Sequence, residues 1–472
     1  MSTHDLITLP WRPRAKDFEQ RSIAEGELPT VMRRHIFTGA MGGAYGLLTT
    51  HIFFVAFGNA LGVTVFQWGL YGAITTFALA FQLLSAHWAA QLGQRKLLWW
   101  ATETLSRVLK AIGLVTAFVF YTQGNLPAAA FSLIFWLCMS GVLAAMSQPI
   151  WFSWLADIIP APIHGRFMGR RDVWVSLFIV ALAVPAGWAS DAFAGDAKTA
   201  VLMTILMAGI ALGMMDVSIH RTIPEPPMAP DRETTFRERI LTPLRDRNYR
   251  PWLLFAGAWN FAAFLGNTLA NVYFIDHLGL SKDFLGGAVV LIAVPLLAIA
   301  VTSRWSGVLV DRLGVRRMLA VSHLCWAVVP IFWVVATPRT ALFWLTVSMV
   351  ISGAATSPAV NAANKLITRT PPRHLRAMYM AMSTCVGALA GGFGALSGGI
   401  FLTWFGDLEW ILGGVTFVSF HLLFLASLVL RVASWTLLLR IKTPEFDRLP
   451  VNIVPDEAPV YIPSEASPEK AA

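Results

Sequence analysis

The feature that most constrains this chain is a series of apolar runs that are long enough to cross a membrane. The hydrocarbon core of a bilayer is about 30 Å thick, and a helix rises 1.5 Å per residue, so about 20 residues span it. Residues 36–94 contain no Asp, Glu, Lys or Arg, and the turn-forming stretch 58–62 divides them into two such runs. In lipid, only helices and closed barrels satisfy their own backbone groups. Runs of this length therefore predict an all-α membrane protein.

Twelve segments meet the length requirement, and we number them segment one to segment twelve. They cover residues 36–58, 66–90, 97–121, 126–150, 173–190, 199–215, 252–275, 284–303, 318–336, 341–363, 377–404 and 411–430. Only 13% of the residues are charged, against about 25% in soluble proteins. The three cysteines, Cys138, Cys325 and Cys385, lie inside these segments, so we expect no disulfide framework, no metal site and no cofactor.

The longest break between segments predicts two six-helix halves. Residues 216–251 are rich in proline and basic residues, and six segments lie on either side of them. The predicted organisation is a cytoplasmic N-terminal segment 1–34, a first half 35–215, a central loop 216–251, a second half 252–442 and a tail 443–472. The tail is rich in proline and acidic residues, a composition typical of disorder.

The distribution of basic residues predicts the orientation. Loops that carry Lys and Arg stay on the cytoplasmic side. If both termini are cytoplasmic, the outer loops hold only Lys198, Lys282 and Arg339 of the 36 Lys and Arg. We therefore expect a protein of the cell (inner) membrane with both termini inside. The basic central loop suits the anionic inner leaflet of the lipid bilayer better than nucleic acid.

The two halves share a short motif, Leu-Gly-x-basic-basic, at residues 92–96 and 313–317. In the second half it belongs to a longer string, Gly-x-x-x-Asp-Arg-x-Gly-x-Arg-Arg at 307–317. In the first half, Ala90 and Gln91 replace the acidic and basic pair. With its twelve segments and central loop, the chain resembles the major facilitator superfamily over residues 35–440.

This resemblance implies a role for the loop of the second half. The gating-loop residues are Gly307, Asp311, Arg312, Gly314, Arg316 and Arg317. Asp311 is expected to accept hydrogen bonds from backbone N–H groups at the N-terminal end of segment eleven, where the helix dipole favours an anion. Such a contact would latch the cytoplasmic side shut. The alternative is that the arginines only anchor the topology. Any latch in the first half must be weaker or use other residues.

The resemblance also implies that segments one, four, seven and ten line a central cavity. In segment seven, Asn260, Asn267 and Asn271 fall within about 40° of one another at 100° per residue. The candidate substrate-pathway residues are Asn260, Asn267, Asn271, Trp259, His51, Trp136, Ser357, Asn361 and Asn364. The alternative for the asparagines is a structural role in hydrogen bonds between helices.

Three charges stand inside segment three, at positions i, i+4 and i+7. Glu103, Arg107 and Lys110 form one stripe, and an unpaired charge costs about 2.5–3.5 kcal/mol at the centre of a membrane helix. Glu103 is a candidate proton-coupling carboxylate, and the positive stripe would attract an anion. The competing interpretation is a structural ion cluster that faces protein.

These features favour a secondary active or facilitative transporter that works by alternating access. We expect a monomer that imports a small polar metabolite or sugar. Leu137 stands where drug–proton antiporters of the family carry an arginine, so export ranks below import. An exporter, and a receptor or assembly factor that has kept the fold without transport, remain alternatives. We find no nucleophile–base pair and no phosphate-binding loop, so an enzyme is not expected.

Overall fold

The computed structural model describes residues 18–24, 26–50, 52–160, 163–279, 290–291, 293–405, 408–412 and 415–441. Within them, twelve helices are long and apolar enough to cross a membrane, so the predicted fold class is confirmed. Large apolar side chains cover the outside of the bundle, as a lipid-facing surface requires. Trp188 and Trp404, for example, are 73% and 76% exposed in the isolated chain.

We call the observed membrane helices spans 1 to 12. Their bounds are Leu28–Thr50 with Ile52–Ala60, Val65–Ala78 with Phe81–Leu92, Arg95–Thr122, Leu126–Ile158, His164–Asp191, Gly195–His220, Arg250–Val272, Val294–Leu313, Val315–Val335, Ala341–Arg369, Arg376–Phe405, and Ser419–Trp435 with the 3-10 turn Thr436–Arg440. A π-helical turn, Tyr273–His277, follows span 7, and a 3-10 turn, Arg373–Leu375, precedes span 11.

Span 12 begins later than the sequence predicted. The first residues assigned to segment twelve lie in an antiparallel pair of strands, Glu409–Leu412 and Val415–Val418, with Trp410 opposite Phe417. Hydropathy alone does not separate an apolar strand from an apolar helix. The β-branched and aromatic residues here favour extended backbone, and Gly413 with Gly414 disfavours helix.

Span 8, Val294–Leu313, extends ten residues beyond the predicted end at residue 303, while residues 284–289 of the predicted segment lie outside the described residues. The first part of the gating-loop string is therefore helical, and the turn comes only at Gly314, whose φ is +85°. Gly93, at the matching place in the first half, has a φ of +66°. Left-handed backbone favours glycine. The Leu-Gly motif shared by the halves thus marks two equivalent helix ends.

The halves pack against each other through spans 5 and 8 and through spans 2 and 11. Gly165 and Gly169 of span 5 lie directly on Gly307 of span 8, where an added Cβ would overlap the neighbouring backbone. Small residues permit this close approach of helices. On the other side of the interface, the Cys385 thiol of span 11 donates to the Leu79 carbonyl of span 2 at 3.2 Å.

The linker between the halves carries a short helix, Phe236–Arg245, at the end of the bundle that we call the linker side. Thr235 and Glu238 form a capping box at its start. Arg239 is fully buried and donates to the His87 carbonyl of span 2 at 3.0 Å. It also pairs with Asp231 at 3.1 Å. Burial alone would raise the pKa of Asp231, but hydrogen bonds from Thr234 and Arg239 lower that pKa to about 2.

We predict that Arg239→Ala releases the linker helix from span 2, because its side chain supplies the buried contacts to His87 and Asp231. Amide hydrogen exchange of residues 231–245 should rise several-fold, while exchange in span 2 changes little. Arg237→Ala is the control, since Arg237 lies on the exposed face of the same helix. Equal exchange in the two variants would contradict this prediction.

Candidate functional site

A cavity of about 370 Å³ lies inside the second half, between spans 7, 9, 10 and 12. Trp259, Asn260 and Asn267, three of the predicted substrate-pathway residues, line it. Span 10 contributes Ser352 and Thr356. The other lining residues are Ala263, Phe264, Ala270, Phe274, Trp326, Val329, Trp333, Met349 and Arg431. The lining extends from the middle of span 7 to its end opposite the linker side.

Arg431 of span 12 forms part of one wall of this cavity. The residue is buried, with 3% of its surface exposed. Its Nη2 donates to Asn267 Oδ1 at 2.6 Å and to the Ala263 carbonyl at 3.3 Å. Its Nη1 donates to the Trp326 carbonyl at 2.9 Å, and its Nε to Ser427 Oγ at 3.1 Å. The guanidinium also lies 5.8 Å from the ring centre of Trp333. One residue thus ties spans 7, 9 and 12 around the cavity.

The predicted segment twelve ends one residue before Arg431. Its end at residue 430 leaves Arg431 outside the membrane segment. That assignment was wrong, because the late start of span 12 places Arg431 near its middle. The charge in the middle of an otherwise apolar run was the signal that pointed to it.

Ser357 and Asn361 of span 10 face span 5 in this conformation and do not line the cavity. Both donate to Asp172 Oδ2 of span 5, Ser357 Oγ at 2.7 Å and Asn361 Nδ2 at 3.2 Å. Ser306 of span 8 is also hydrogen-bonded to Ser357, at 2.9 Å. Asp172 is thus the acceptor of a polar contact that joins the halves farther from the linker side than Asp311 does.

Two further substrate-pathway candidates, Trp136 and Asn364, lie apart from the cavity. Trp136 packs against Gly113 of span 3, and Asn364 is buried in span 10 with its amide nitrogen without a partner. His51 lies outside the described residues, and so does the side chain of Asn271. Within the described part of the chain, no group of three or more His, Cys, Asp or Glu side chains is placed to hold a metal ion.

Asp311 makes its contacts at a different helix from the one predicted. Its Oδ2 accepts from the backbone N–H of Arg166 at 3.2 Å, at the N-terminal end of span 5, and its Oδ1 pairs with Lys365 of span 10 at 3.1 Å. The expected partner, the start of segment eleven, was wrong because span 8 packs on span 5. Arg312, Arg316 and Arg317 are exposed at this end of the bundle.

The N-terminal end of span 11 instead meets an acidic residue of the first half. Asp157, at the end of span 4, pairs with Arg376 of span 11 and with the buried Arg95 at 2.7 Å. Arg369 donates to the Ile159 carbonyl at 2.6 Å in the same region. In the first half, where Ala90 and Gln91 replace the acidic and basic pair, the contact with span 11 is therefore made by Asp157 of span 4.

We predict that Asp311→Asn weakens the closed state of the linker side, because the side chain that accepts from the Arg166 backbone N–H of the first half loses its negative charge. A change of about 1.4 kcal/mol would shift the ratio of closed to open molecules about tenfold. Spin labels at R170C and R316C, two exposed positions on the linker side, would report a longer distance in a background without native cysteines.

The control for that measurement is Asp191→Asn, the same chemical change at an exposed carboxylate on the opposite side of the bundle. It should leave the distance distribution unchanged. If Asp311→Asn also leaves it unchanged, Asp311 does not act as a latch.

The charges of span 3 join a larger buried cluster. Arg107 pairs with Glu103 at 3.4 Å and with Asp216 of span 6 at 2.7 Å. Lys110 donates to Thr49 Oγ1 at 3.3 Å, and Arg107 and Lys110 each lie 4.8 Å from the ring centre of Tyr45. Asp216 was missed because segment six was predicted to end at residue 215. The stripe faces protein and is internally paired, and its role in coupling stays a prediction.

We predict that Arg107→Gln lowers the thermal stability of the detergent-purified protein, because it leaves Asp216 buried without its cationic partner. Breaking a buried pair on one side costs about 3–5 kcal/mol. The double variant Arg107→Gln/Asp216→Asn should regain part of the loss, since the Asp216 charge is then removed while Glu103 keeps its hydrogen bond from Ser147. Lys198→Gln, in an exposed pair, should have little effect. A double variant as unstable as the single one would rule out the pair as the cause.

Comparison with known proteins agrees with this architecture. The sequence model described as Major Facilitator Superfamily matches residues 276–449. No curated protein matches the sequence. Three solved structures are similar in fold. A bacterial homologue of the iron transporter ferroportin, in an outward-facing state, is 13% identical with a TM-score of 0.61, covering 88% of this chain and 98% of that chain.

The transporter FucP, in an outward conformation, is 11% identical with a TM-score of 0.64, and the comparison covers 88% of this chain and 98% of that chain. The proton:xylose symporter XylE is 14% identical with a TM-score of 0.63, over 88% and 96% of the two chains. Identities this low are evidence for the fold alone.

Proposed function

We propose, from the premise that this chain belongs to the major facilitator superfamily, that it imports a small polar solute by alternating access. The observation that carries the proposal is the combination of contacts that close the linker side with a cavity, lined by aromatic and polar side chains, that extends from the middle of span 7 to its opposite end. A solute held there would be released when the halves rock and the contacts on the linker side separate.

Two sets of polar contacts between the halves support this mechanism. Asp157 with Arg376 and Asp311 with the start of span 5 lie at the linker side. Asp172 with Ser357 lies deeper in the membrane. Both sets join elements that must part if the linker side opens. Polar contacts suit a reversible closure, because water that enters the opening solvates the separated groups again.

The proposed direction of transport depends on the orientation of the chain, which we take from the distribution of basic residues. Basic residues concentrate on the linker side, so this side is cytoplasmic in our proposal. The cavity lining then reaches toward the outside, as is suited to the entry of an imported solute. The similar solved structures include a homologue of an iron transporter and a xylose symporter, so they support transport while they differ in cargo.

We predict that a covalent tie across the linker side stops transport. Asp157→Cys and Arg376→Cys, joined by a short bifunctional methanethiosulfonate, would replace the ion pair with a reducible link. The protein would be reconstituted in liposomes without its native cysteines, and uptake of a panel of radiolabelled sugars, organic acids and amino acids would be measured. Uptake should stop after cross-linking and return on reduction.

Each single-cysteine variant, treated with the same reagent, is the control and should keep its uptake. Uptake that continues through the cross-link would contradict alternating access. If no solute of the panel moves, and the cross-linked protein still supports growth of cells that depend on it, the receptor or assembly-factor alternative is favoured. Release of preloaded solute without uptake would favour the exporter.

A further inference from the structure

We infer that the solute is a small organic anion with an apolar or aromatic body, and that its negative group binds beside Arg431. This inference rests on the proposed transport function and assigns the substrate class of the same cavity. Neither the sequence resemblance nor the similar structures point to an anion. The assignment follows from the charge and the lining of the cavity.

The first observation is that Arg431 has no carboxylate partner. No Asp or Glu among the described residues forms an ion pair with it. Its four hydrogen bonds go to two backbone carbonyls, Ser427 Oγ and Asn267 Oδ1, all of which are neutral acceptors. A guanidinium has five N–H donors, so one remains for a further acceptor. No carboxylate among the described residues therefore neutralises this cation beside the cavity.

The first half of the chain shows how a buried arginine is neutralised here. Arg107 in span 3 pairs with both Glu103 and Asp216. Asp216 stands in span 6, which is the counterpart of span 12 in the two-half arrangement. In the second half this counterpart carries the arginine itself, without an acid nearby in the described structure. An anionic solute would supply the missing charge.

The second observation concerns the body of the solute. Trp259, Trp326 and Trp333 line the cavity together with Phe264 and Phe274. The rings of Trp259 and Trp326 are stacked, with centroids 6.3 Å apart. Aromatic walls with a few polar groups typify sites for small organic molecules. A carboxylate attached to an aromatic or short aliphatic body fits this lining and the volume of about 370 Å³.

The probes for the test are benzoate and hexanoate, each compared with its neutral amide, benzamide and hexanamide. The full chain would be placed in nanodiscs of phosphatidylcholine alone, so that no anionic lipid competes for the site. Because a ligand that binds the folded state raises apparent stability, the melting temperature should rise with the carboxylates and not with the amides. Equal shifts with acid and amide would overturn the inference, and so would the absence of any shift.

The first variant is Arg431→Gln, which removes the charge. Carboxylate affinity should fall at least about tenfold, because charge-assisted hydrogen bonds are about twice as strong as neutral ones. Arg440→Gln is the matched control, since Arg440 is exposed at the end of the same span. Unchanged carboxylate binding in Arg431→Gln would overturn the inference.

The second variant, Asn267→Asp, keeps the arginine and the shape of the site. The Asn267 Oδ1 atom is 2.6 Å from Arg431 Nη2, so an aspartate there would neutralise the guanidinium internally. This variant should fold at least as well as the wild type and bind benzoate at least about tenfold more weakly. It carries the test if Arg431→Gln fails to fold. Wild-type affinity for benzoate in Asn267→Asp would overturn the inference.

The inference and the proposed function fail in different ways. If liposomes take up a neutral solute, and both variants transport it normally, the anion assignment is wrong and transport stands. If benzoate binds through Arg431 but nothing crosses the membrane, the site is correct and the proposed function is wrong.

Discussion

The structure depends on one physical constraint, that a charge inside a membrane protein needs a partner within the protein. Several buried charges among the described residues meet this constraint through specific contacts between helices. Asp216 pairs with Arg107, and Asp311 pairs with Lys365. These pairs hold spans that apolar packing alone would not order, because lipid chains solvate apolar helices as well as other helices do. Among the described residues, Arg431 meets the constraint only with neutral acceptors, and it borders a cavity.

The two halves meet this constraint in related ways on the linker side. Asp311 of span 8 accepts from the Arg166 backbone N–H near the start of span 5, and Asp157 of span 4 pairs with the side chain of Arg376, the first residue of span 11. In each case an acid of one half lies at the N-terminal end of a helix of the other, where the helix dipole favours an anion. The contacts on either side of the interface thus share one chemistry, although their residues are not equivalent in the repeat.

Three of the predicted segment ends are wrong for one physical reason. Hydropathy detects apolar runs, but a helix continues beyond its first charged residue where another helix supplies a partner for that charge. Asp172, Asp216 and Arg431 each lie one residue outside a predicted segment, yet each is part of a membrane helix. The predicted partner of Asp311 was also wrong. The motif identifies Asp311, but its partner depends on which spans pack together. Asn260 and Asn267, in contrast, line a cavity, as their spacing on segment seven and the family resemblance together suggested.

The sequence by itself determined the number of membrane helices, their division into two sets of six and the residues able to carry polar contacts in lipid. Those properties follow from local composition, since the thickness and polarity of a bilayer act on each segment separately. Only the tertiary structure decided which charges pair. It placed Asp216 against Arg107, joined Asp172 to Ser357 and left Arg431 beside a cavity without an acid in the described residues. Pairing depends on helix rotation and on neighbours far apart in sequence, and neither is encoded in the periodicity of a single segment.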